Sequence, residues 1–358
     1  MAVDKIKPFN DPRVQLRSTV LNGLTYGYLY SEPLPSVVRR GTVLLVHGFP
    51  DLSFGWRYQI PFLTSLGLTV IAPDCVGYGR TDSPRHTLSD YGYKRAADDL
   101  ATLCQQLDLA QIVLGGHDWG SAVAWRMTQY YPKLVKALFI FGAPYFPPSS
   151  RFEPLASIIG NYLPQLAYQA QLVSGEIEDR VQSRAEIRKF LSAVFGALNT
   201  AQPNRLAGFD VHSGANLDLI LSGAIPANDD GLVSSVELDF YASEFSRNGL
   251  TGPVNWYRIR EVNWADEYAY FFDNGKVPRP SNLRFGPEHE ILYVRATCDP
   301  AISDNMVARM VPKVDKLTHH EIEAGHWVLW QKPAEANRIL GQWLEDKVFK
   351  EGHLSSKL

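Results

Sequence analysis

The sequence has no long hydrophobic run, and it has only three cysteines among 358 residues. A helix that crosses a bilayer needs about 20 predominantly apolar residues. No uninterrupted run approaches that length, so no membrane span is expected. Residues 1–8 lack the apolar core of a secretory signal. The cysteines are too few and too scattered for a disulfide framework or a zinc site, and we interpret Cys75, Cys104 and Cys298 as reduced thiols of an intracellular protein.

An excess of either charge is also missing. The 35 Lys and Arg residues nearly balance the 38 Asp and Glu residues, which leaves a net charge of -3. The sequence therefore lacks the excess of basic residues that would indicate binding to nucleic acid or to an anionic membrane. Gly77-Tyr78-Gly79 resembles the beginning of a dinucleotide-binding fingerprint, but a third spaced glycine is absent, and we interpret the segment as a turn. We therefore expect no cofactor and no metal.

The apolar runs that are present alternate with amphipathic stretches. A β-hairpin is predicted first, because Asn22-Gly23 is the strongest two-residue turn signal. Strands are then predicted at 42–46, 69–72, 112–114, 137–141, 291–296 and 316–322, and helical segments at 54–66, 91–107, 122–131 and 333–347. Strands that alternate with helices indicate the α/β class, with a mostly parallel, doubly wound sheet.

The alternation of strands and helices stops near Pro144 and resumes at about residue 285. Between these points the sequence is typical of helices separated by polar loops, for example at 185–198 and 234–245. We therefore predict a core formed by residues 1–144 and 285–358, with an inserted helical lid at 145–284. Because ligands bind beyond the carboxyl ends of the strands in such sheets, the lid is expected to cover that edge.

The segment Gly115–Ser121 carries the strongest chemical signal. It follows a short apolar strand and precedes a helix, which is the context of the nucleophile elbow in α/β-hydrolases. Its central residue is Asp118, where an esterase would have serine. A carboxylate is suited to displacing a leaving group at saturated carbon, and the resulting ester can be hydrolysed by water. We predict that Asp118 is a nucleophile.

The partners of an elbow nucleophile follow it in the order acid, then histidine. Asp299 comes just after the strand predicted at 291–296, and His326 lies in the loop after the last strand. We predict that Asp118, Asp299 and His326 form a catalytic triad. The amides of Phe49, which ends an early strand, and of Trp119, which follows the nucleophile, are predicted to form the oxyanion hole. A cis Phe49–Pro50 bond would suit the tight turn there.

These motifs resemble those of the α/β-hydrolase-fold epoxide hydrolases across almost the whole chain. The resemblance rests on residues 47–50 (HGFP), 74–79, 116–120 (GHDWG), 325–327 (GHW) and, in the lid, 251–258 (TGPVNWYR). The mammalian soluble enzymes carry an extra N-terminal phosphatase domain. Because the given sequence begins just before the hairpin, we expect it to be similar to the single-domain plant and microbial forms.

The resemblance implies an enzyme that adds water to an epoxide through an ester on Asp118, without a cofactor. It also implies two lid tyrosines that hold and protonate the epoxide oxygen, and it places them at Tyr168 and Tyr241. A phenol is a suitable acid for a departing alkoxide. Trp327 is expected to line an apolar pocket together with the oxyanion-hole residues, and His47 and Pro50 are assigned to substrate binding.

Two alternatives use the same fold. A haloalkane or haloacid dehalogenase shares the Asp–His–acid machinery, and Trp119 could donate to a halide in such an enzyme. Paired lid phenols are not needed for that chemistry, so Tyr168 and Tyr241 discriminate against it. A non-catalytic ligand receptor is the second alternative, since a fold does not fix a function. The intact nucleophile, base and acid argue against a receptor.

The sequence ends in Ser356-Lys357-Leu358, a tripeptide that the peroxisomal import receptor reads at a C-terminus. We expect this receptor as a partner and a peroxisomal location, with partial residence in the cytoplasm. Lipid epoxides would be plausible substrates in that compartment.

Overall fold

The structure, a computed structural model, describes residues 3–196, 208–225, 232–272 and 283–350, together with the backbone of two short strands at 198–199 and 202–206. The C-terminal tripeptide lies outside these residues. Of the helices within them, none combines the length and the apolar character needed to cross a membrane.

An eight-stranded sheet forms the centre of the molecule, with strand order β1-β2-β4-β3-β5-β6-β11-β12. The strands are β1 (Gln15–Leu21), β2 (Leu24–Ser31), β3 (Gly41–Val46), β4 (Leu68–Pro73), β5 (Ile112–His117), β6 (Val135–Phe141), β11 (Glu290–Ala296) and β12 (Leu317–Ile322). Strands β3, β4, β5, β6, β11 and β12 are parallel to their neighbours in this group. All residues of β4 and β5 are buried, as expected for strands covered on both faces.

The predicted hairpin forms the antiparallel edge of the sheet. Strands β1 and β2 pair from Gln15↔Tyr30 to Leu21↔Leu24, and β2 is also antiparallel to β4. The two turn residues, Asn22 and Gly23, have φ values of 45° and 92°. Positive φ at both positions is the requirement of the type I′ turn, which matches the twist of the flanking strands.

Helices connect the parallel strands. Around the sheet these are α1 (Gln59–Ser65), α2 (Tyr93–Gln106), α3 (Trp119–Tyr130), α12 (Asp304–Met310), α13 (Val328–Gln331) and α14 (Pro333–Trp343), which continues as a π-helix at Leu344–Phe349. The connection from β3 to β4 runs in one direction along the sheet, and those from β4 to β5 and β6 run in the other. With right-handed crossovers, α1 and the pair α2 and α3 lie on opposite faces. The prediction of a mostly parallel, doubly wound α/β sheet is thus confirmed.

The segment between β6 and β11 is mostly helical, as predicted. Its helices are α4 (Leu155–Asn161), α5 (Tyr168–Ser174), α6 (Glu176–Arg180), α7 (Arg184–Val194), α8 (Leu217–Ser222), α9 (Ser235–Phe245), α10 (Thr251–Asn255) and α11 (Arg260–Phe271). Two small strand pairs were not predicted: β7 (Leu198–Asn199) with β8 (Gln202–Leu206), and β9 (Phe209–Asp210) with β10 (Gly214–Ala215). Three of these four strands have only two residues, which is too short to show a period of two.

This inserted segment, residues 145–284, is bound to the sheet by buried contacts. The indole N–H of Trp256 donates to the carbonyl of Val76 at 2.9 Å. The backbones of Gly252 and Gly77 approach so closely that a Cβ on Gly252 would lie 2.5 Å from the Cα of Gly77. Because only glycine permits this approach, α10 packs directly on the loop that follows β4.

Candidate active site

Asp118 occupies the turn between β5 and α3 with φ 53° and ψ -122°, a combination that costs an L-residue conformational energy. The neighbouring glycines make the turn possible. A Cβ on Gly120 would lie 2.0 Å from the carbonyl oxygen of Val46, and one on Gly116 would lie 2.6 Å from the carbonyl oxygen of Gly120. Strand β3, strand β5 and helix α3 therefore meet more closely here than any larger residue would allow.

Two main-chain amides face the carboxylate of Asp118. The N–H of Phe49 donates to Oδ1 at 2.7 Å, and the N–H of Trp119 also hydrogen-bonds the carboxylate. The Phe49–Pro50 peptide bond is cis. The turns after β3 and β5 lie on either side of the point where the strand order reverses, which is the position where ligands bind in open α/β sheets.

His326 and Asp299 lie on the same edge of the sheet. His326 Nδ1 is 2.8 Å from Asp299 Oδ2, and His326 Nε2 is 3.8 Å from Asp118 Oδ2. The N–H of Ala301 donates to Asp299 Oδ1 at 2.9 Å, so the carboxylate that faces the histidine is itself fixed. His117 Nε2 donates to the carbonyl of His326 at 3.0 Å. The three residues predicted as a triad are thus brought together.

The charges of these residues act on one another. Burial acts to lower the pKa of His326, but the charges of Asp299 and Asp118 outweigh it and raise this pKa to about 9. Burial acts to raise the pKa of Asp299, and the charge of His326 reverses the effect, so the pKa lies below its ordinary value. For Asp118 burial dominates, and its pKa is raised. His326 is therefore an imidazolium at neutral pH, held by the ionised carboxylate of Asp299.

Two tyrosines from the inserted segment line the same cavity as Asp118, which has a volume of about 440 Å³. Tyr168 begins α5 and Tyr257 follows α10; their ring centroids are 6.2 Å apart. The ring of Tyr257 also packs edge-on against Phe49 and Trp119, at 5.2 and 5.0 Å. Burial raises the pKa of both phenols, and the nearby charge of Asp118 raises them further. Both hydroxyls are therefore protonated at neutral pH.

The structure does not bring Tyr241 to this cavity, so that prediction is corrected. Tyr241 is fully buried, and its hydroxyl donates to Asp51 Oδ1 at 2.7 Å. Among the described residues that line the cavity, Tyr257 stands where Tyr241 was expected. Helix α9 instead directs the side chain of Tyr241 into the buried interface between the inserted segment and the rest of the protein. The sequence did hold the right signal, since Tyr257 lies within the lid motif at 251–258.

His47, Pro50 and Trp327 were assigned to substrate binding, but none of them belongs to the described lining of the cavity. His47 is buried; its Nε2 accepts from the Cys75 N–H and its Nδ1 donates to the Gly48 carbonyl, both at 2.9 Å. Burial lowers its pKa to about 4, so the ring is neutral. Pro50 is buried in the turn that presents the Phe49 amide.

Trp327 lies behind the histidine that precedes it. Its indole N–H donates to the carbonyl of Val194 at 3.0 Å, and its ring stacks on Trp330 at 4.3 Å. The ring of His326 packs edge-on against it at 5.0 Å. We conclude that Trp327 supports the histidine loop and joins it to α7.

Away from Asp118, His326 and the two phenols, much of the cavity wall is apolar. Its wall includes the apolar side chains Phe146, Phe152, Ile158, Leu163, Leu166, Trp264, Ile302 and Met306. Charged side chains also line it, namely Arg126, Arg151, Glu153, Arg260 and Glu267. Within the described ranges, no group of three or more His, Cys, Asp or Glu side chains is arranged as a metal site. The arrangement can place an apolar molecule between a carboxylate nucleophile and two phenolic donors.

The fold and this site are those of an α/β-hydrolase, and comparison with known proteins agrees with that class. A family model described as the alpha/beta hydrolase fold matches residues 41–333. The Neurospora crassa protein named epoxide hydrolase srdG is 37% identical over 356 residues, which cover 96% of this chain and 99% of that protein. The chain belongs to the α/β-hydrolase-fold family of epoxide hydrolases and is a hydrolase.

Other relatives are more distant. Bifunctional epoxide hydrolase 2 of Sus scrofa is 30% identical over 339 residues, and the match covers 90% of this chain but only 56% of that protein. The crystal structure of epoxide hydrolase A from Mycobacterium thermoresistibile is 25% identical, with a TM-score of 0.72, and the match covers 93% of this chain and 98% of that one.

Proposed function

We propose that this protein hydrolyses epoxides to vicinal diols through a covalent ester on Asp118. One observation carries the proposal: the half-buried carboxylate of Asp118 and two protonated phenols, Tyr168 and Tyr257, line a single cavity that also contains His326. Epoxide opening needs a nucleophile on one side of the ring and an acid on the other. The names of the relatives support the same reaction.

In the first step, Asp118 attacks an oxirane carbon. Oδ1 is held by the Phe49 N–H, which leaves Oδ2 to form the new C–O bond. The ring C–O bond breaks, and its oxygen takes a proton from Tyr168 or Tyr257. The products are a hydroxyalkyl ester and a tyrosinate, which regains its proton from the His326 imidazolium through water. His326 is then neutral.

Ester formation itself prepares His326 for the second step. Asp118 is one of the charges that raise the pKa of His326, and the ester is uncharged, so this pKa falls when the ester forms. Neutral His326, oriented by Asp299, removes a proton from water as the water attacks the ester carbonyl carbon. The Oδ1 oxyanion forms where the amides of Phe49 and Trp119 already point. Collapse expels the diol alkoxide, which takes the proton from His326 and leaves Asp118 as a carboxylic acid. Asp118 then passes its proton to neutral His326, which restores the carboxylate and the imidazolium.

The inserted segment at 145–284 acts as the lid in this proposal. It supplies both phenols and the apolar wall, whereas the sheet supplies the nucleophile and the base. By covering the carboxyl ends of the strands it limits the water that reaches the ester, so that the ester meets a water held by His326 rather than bulk solvent.

The dehalogenase alternative would use the indole N–H of Trp119 as a halide donor, and Trp119 does line the cavity. The placement of the phenols favours the epoxide. A halide leaves as a stable anion and requires no proton, whereas an alkoxide does, and Tyr168 and Tyr257 line the same cavity as the nucleophile.

Intact-protein mass spectrometry of His326→Gln enzyme mixed with styrene oxide tests the proposal. Blocking the second step should let the ester accumulate, with a mass gain equal to the whole epoxide on the peptide that contains Asp118. The matched control, His326→Gln combined with Asp118→Asn, should gain nothing. A haloalkane that adds its alkyl group without the halogen, where no epoxide adds, would establish the dehalogenase instead.

We also propose that Ser356-Lys357-Leu358 directs the protein to peroxisomes through the import receptor, with a fraction left in the cytoplasm. A fluorescent protein fused to the N-terminus should collect in peroxisomes, and removal of the three residues should disperse it. Equal distribution of both fusions would disprove the proposal.

A further inference from the structure

Arg260, the first residue of α11, is a cation of the cavity wall that contacts no partner of opposite charge among the described residues. It lines the same cavity as Asp118 and His326. None of the described residues forms a hydrogen bond or an ion pair with its guanidinium. Arg126 provides a contrast in the same wall, since it pairs with Glu267 at 2.6 Å (Nε–Oε1) and 3.2 Å.

The surroundings of Arg260 make this cation energetically unusual. Burial lowers the pKa of its guanidinium, and only Tyr93 and Glu153 act electrostatically in the opposite direction. Glu153 is exposed to solvent, so water screens its charge. An arginine remains protonated even when partly buried. A desolvated guanidinium of this kind gains most from an anion that enters the cavity.

We propose that Arg260 binds a carboxylate on the substrate, so that the enzyme selects epoxides that carry a negative charge. This inference rests on the proposed epoxide hydrolysis and adds the chemical class of its preferred substrate. The planar guanidinium offers two parallel N–H donors to the two oxygens of a carboxylate.

The position of Arg260 separates charge recognition from bond breaking. Arg260 acts electrostatically on Tyr93, and the ring of Tyr93 is 6.2 Å from that of Trp119, the neighbour of Asp118. Tyr93 and Trp119 also line the cavity, so the proposal places the bound carboxylate on the Tyr93 side and the oxirane on the Trp119 side. The carboxylate is held at a distance from the oxirane, and its binding contributes equally to the ground state and the transition state. Such binding lowers KM and leaves kcat nearly constant.

Matched substrates test the proposal. Terminal epoxides of straight-chain carboxylic acids, from 5,6-epoxyhexanoate to 11,12-epoxydodecanoate, are compared with their methyl esters, which lack the charge. The wild-type protein should prefer an acid to its ester by about ten- to a hundred-fold in kcat/KM, as expected for a charge-assisted bidentate contact. The preference should lie in KM and should peak at one chain length.

Substitution of Arg260 assigns the preference to this side chain. Arg260→Met should abolish the acid-to-ester ratio, and Arg260→Lys should keep part of it, because a lysine retains the charge without the planar fork. Arg309→Met removes the same charge from the exposed face of α12 and should leave the ratio unchanged. An acid-to-ester ratio that is equal in the wild type and in Arg260→Met would overturn the inference while leaving epoxide hydrolysis intact.

Binding of octanoate, followed by calorimetry, separates this inference from the proposed function. Octanoate cannot react, so its affinity reports the anion site alone. Tighter binding to the wild type and Arg309→Met than to Arg260→Met would support the anion site even if no epoxide were hydrolysed. Equal binding to all three proteins would refute it even if styrene oxide were a good substrate.

Discussion

The two walls of the cavity hold their functional groups by different means. The sheet wall, with Asp118 and His326, is fixed by main-chain amides, a turn with positive φ and glycines that admit no Cβ. The inserted wall, with Tyr168, Tyr257 and Arg260, relies on rings packed against rings and on helix ends. Main-chain geometry tolerates almost no substitution, whereas packed side chains can be exchanged while the fold persists. We infer that the sheet wall supplies the nucleophile and the base, whereas the inserted wall supplies the acids and the contacts that select the substrate.

The largest expected effect comes from Asp118→Asn in the sheet wall. Removal of the nucleophile should reduce kcat/KM by about 10⁴-fold or more. Burial raises the pKa of Asp118, which means that its ionised form opposes folding at neutral pH. The neutral amide, which tolerates positive φ, should therefore unfold at the same temperature or higher. Steady-state kinetics and a thermal melt at pH 7 measure both. A lower midpoint would mean that the carboxylate stabilises the fold.

The phenols of the inserted wall should have the next largest effect. Tyr257→Phe and Tyr168→Phe should each lower kcat by about 10²-fold, since a positioned general acid contributes about 10²–10⁴-fold. The double variant should form no ester with styrene oxide when combined with His326→Gln. Both single variants should retain the melting temperature within a few degrees. A Tyr257→Phe enzyme within threefold of the wild type would remove this residue from the mechanism.

Much of the sheet wall could be predicted from the sequence, because each residue is fixed by its place relative to a strand end. Asp118, Asp299 and His326 follow β5, β11 and β12, and the order of strands brings these ends together. The inserted wall offers no such rule. Its helices are positioned by tertiary packing, so a helical pattern does not distinguish Tyr241 from Tyr257. The motif at 251–258 favoured Tyr257, and the structure shows that this tyrosine lines the cavity.

Three further predictions were wrong for a related reason. His47, Pro50 and Trp327 adjoin residues that do line or approach the site, and closeness in sequence was taken as closeness to the cavity. Successive residues in a turn point in different directions: the Phe49 amide reaches Asp118, whereas His47 turns inward to bind the Cys75 amide. Arg260 gave no signal at all, because a single arginine in a polar helix is ordinary until its unpaired position in a cavity is known.

The sheet wall should also give stability a pH dependence of its own. The pKa of His326 is about 9 in the folded protein, above the value of about 6.5 for an unfolded chain. A raised pKa contributes stability that is fully present below pH 6.5 and is lost as the pH rises through 9. The difference in free energy of unfolding between wild type and His326→Gln should shrink by about 3 kcal/mol over this window.

Urea unfolding at pH 6, 7.5 and 9.5 measures the effect. The same series in an Asp118→Asn background should show a smaller change, because one of the charges that raise the pKa of His326 is gone. A difference independent of pH would mean that His326 is not protonated in the free enzyme.

The smallest expected effect on activity comes from Tyr241→Phe, which tests whether Tyr241 has a different role from Tyr257. Tyr241→Phe should leave kcat/KM within about threefold of the wild type, while the loss of its hydrogen bond to Asp51 should cost about 1–3 kcal/mol of stability. Burial raises the pKa of Asp51 to about 7, and the Tyr241 hydroxyl limits that rise. Without the hydroxyl, ionised Asp51 is harder to bury, so the cost should be greater at pH 8 than at pH 6.

Tyr257→Phe, measured in parallel, should show the reverse pattern: a large loss of kcat and a small change in stability. Should Tyr241→Phe lose activity as Tyr257→Phe does, both tyrosines would belong to the reaction, and the boundary between the packed interior and the cavity wall would have to be drawn elsewhere.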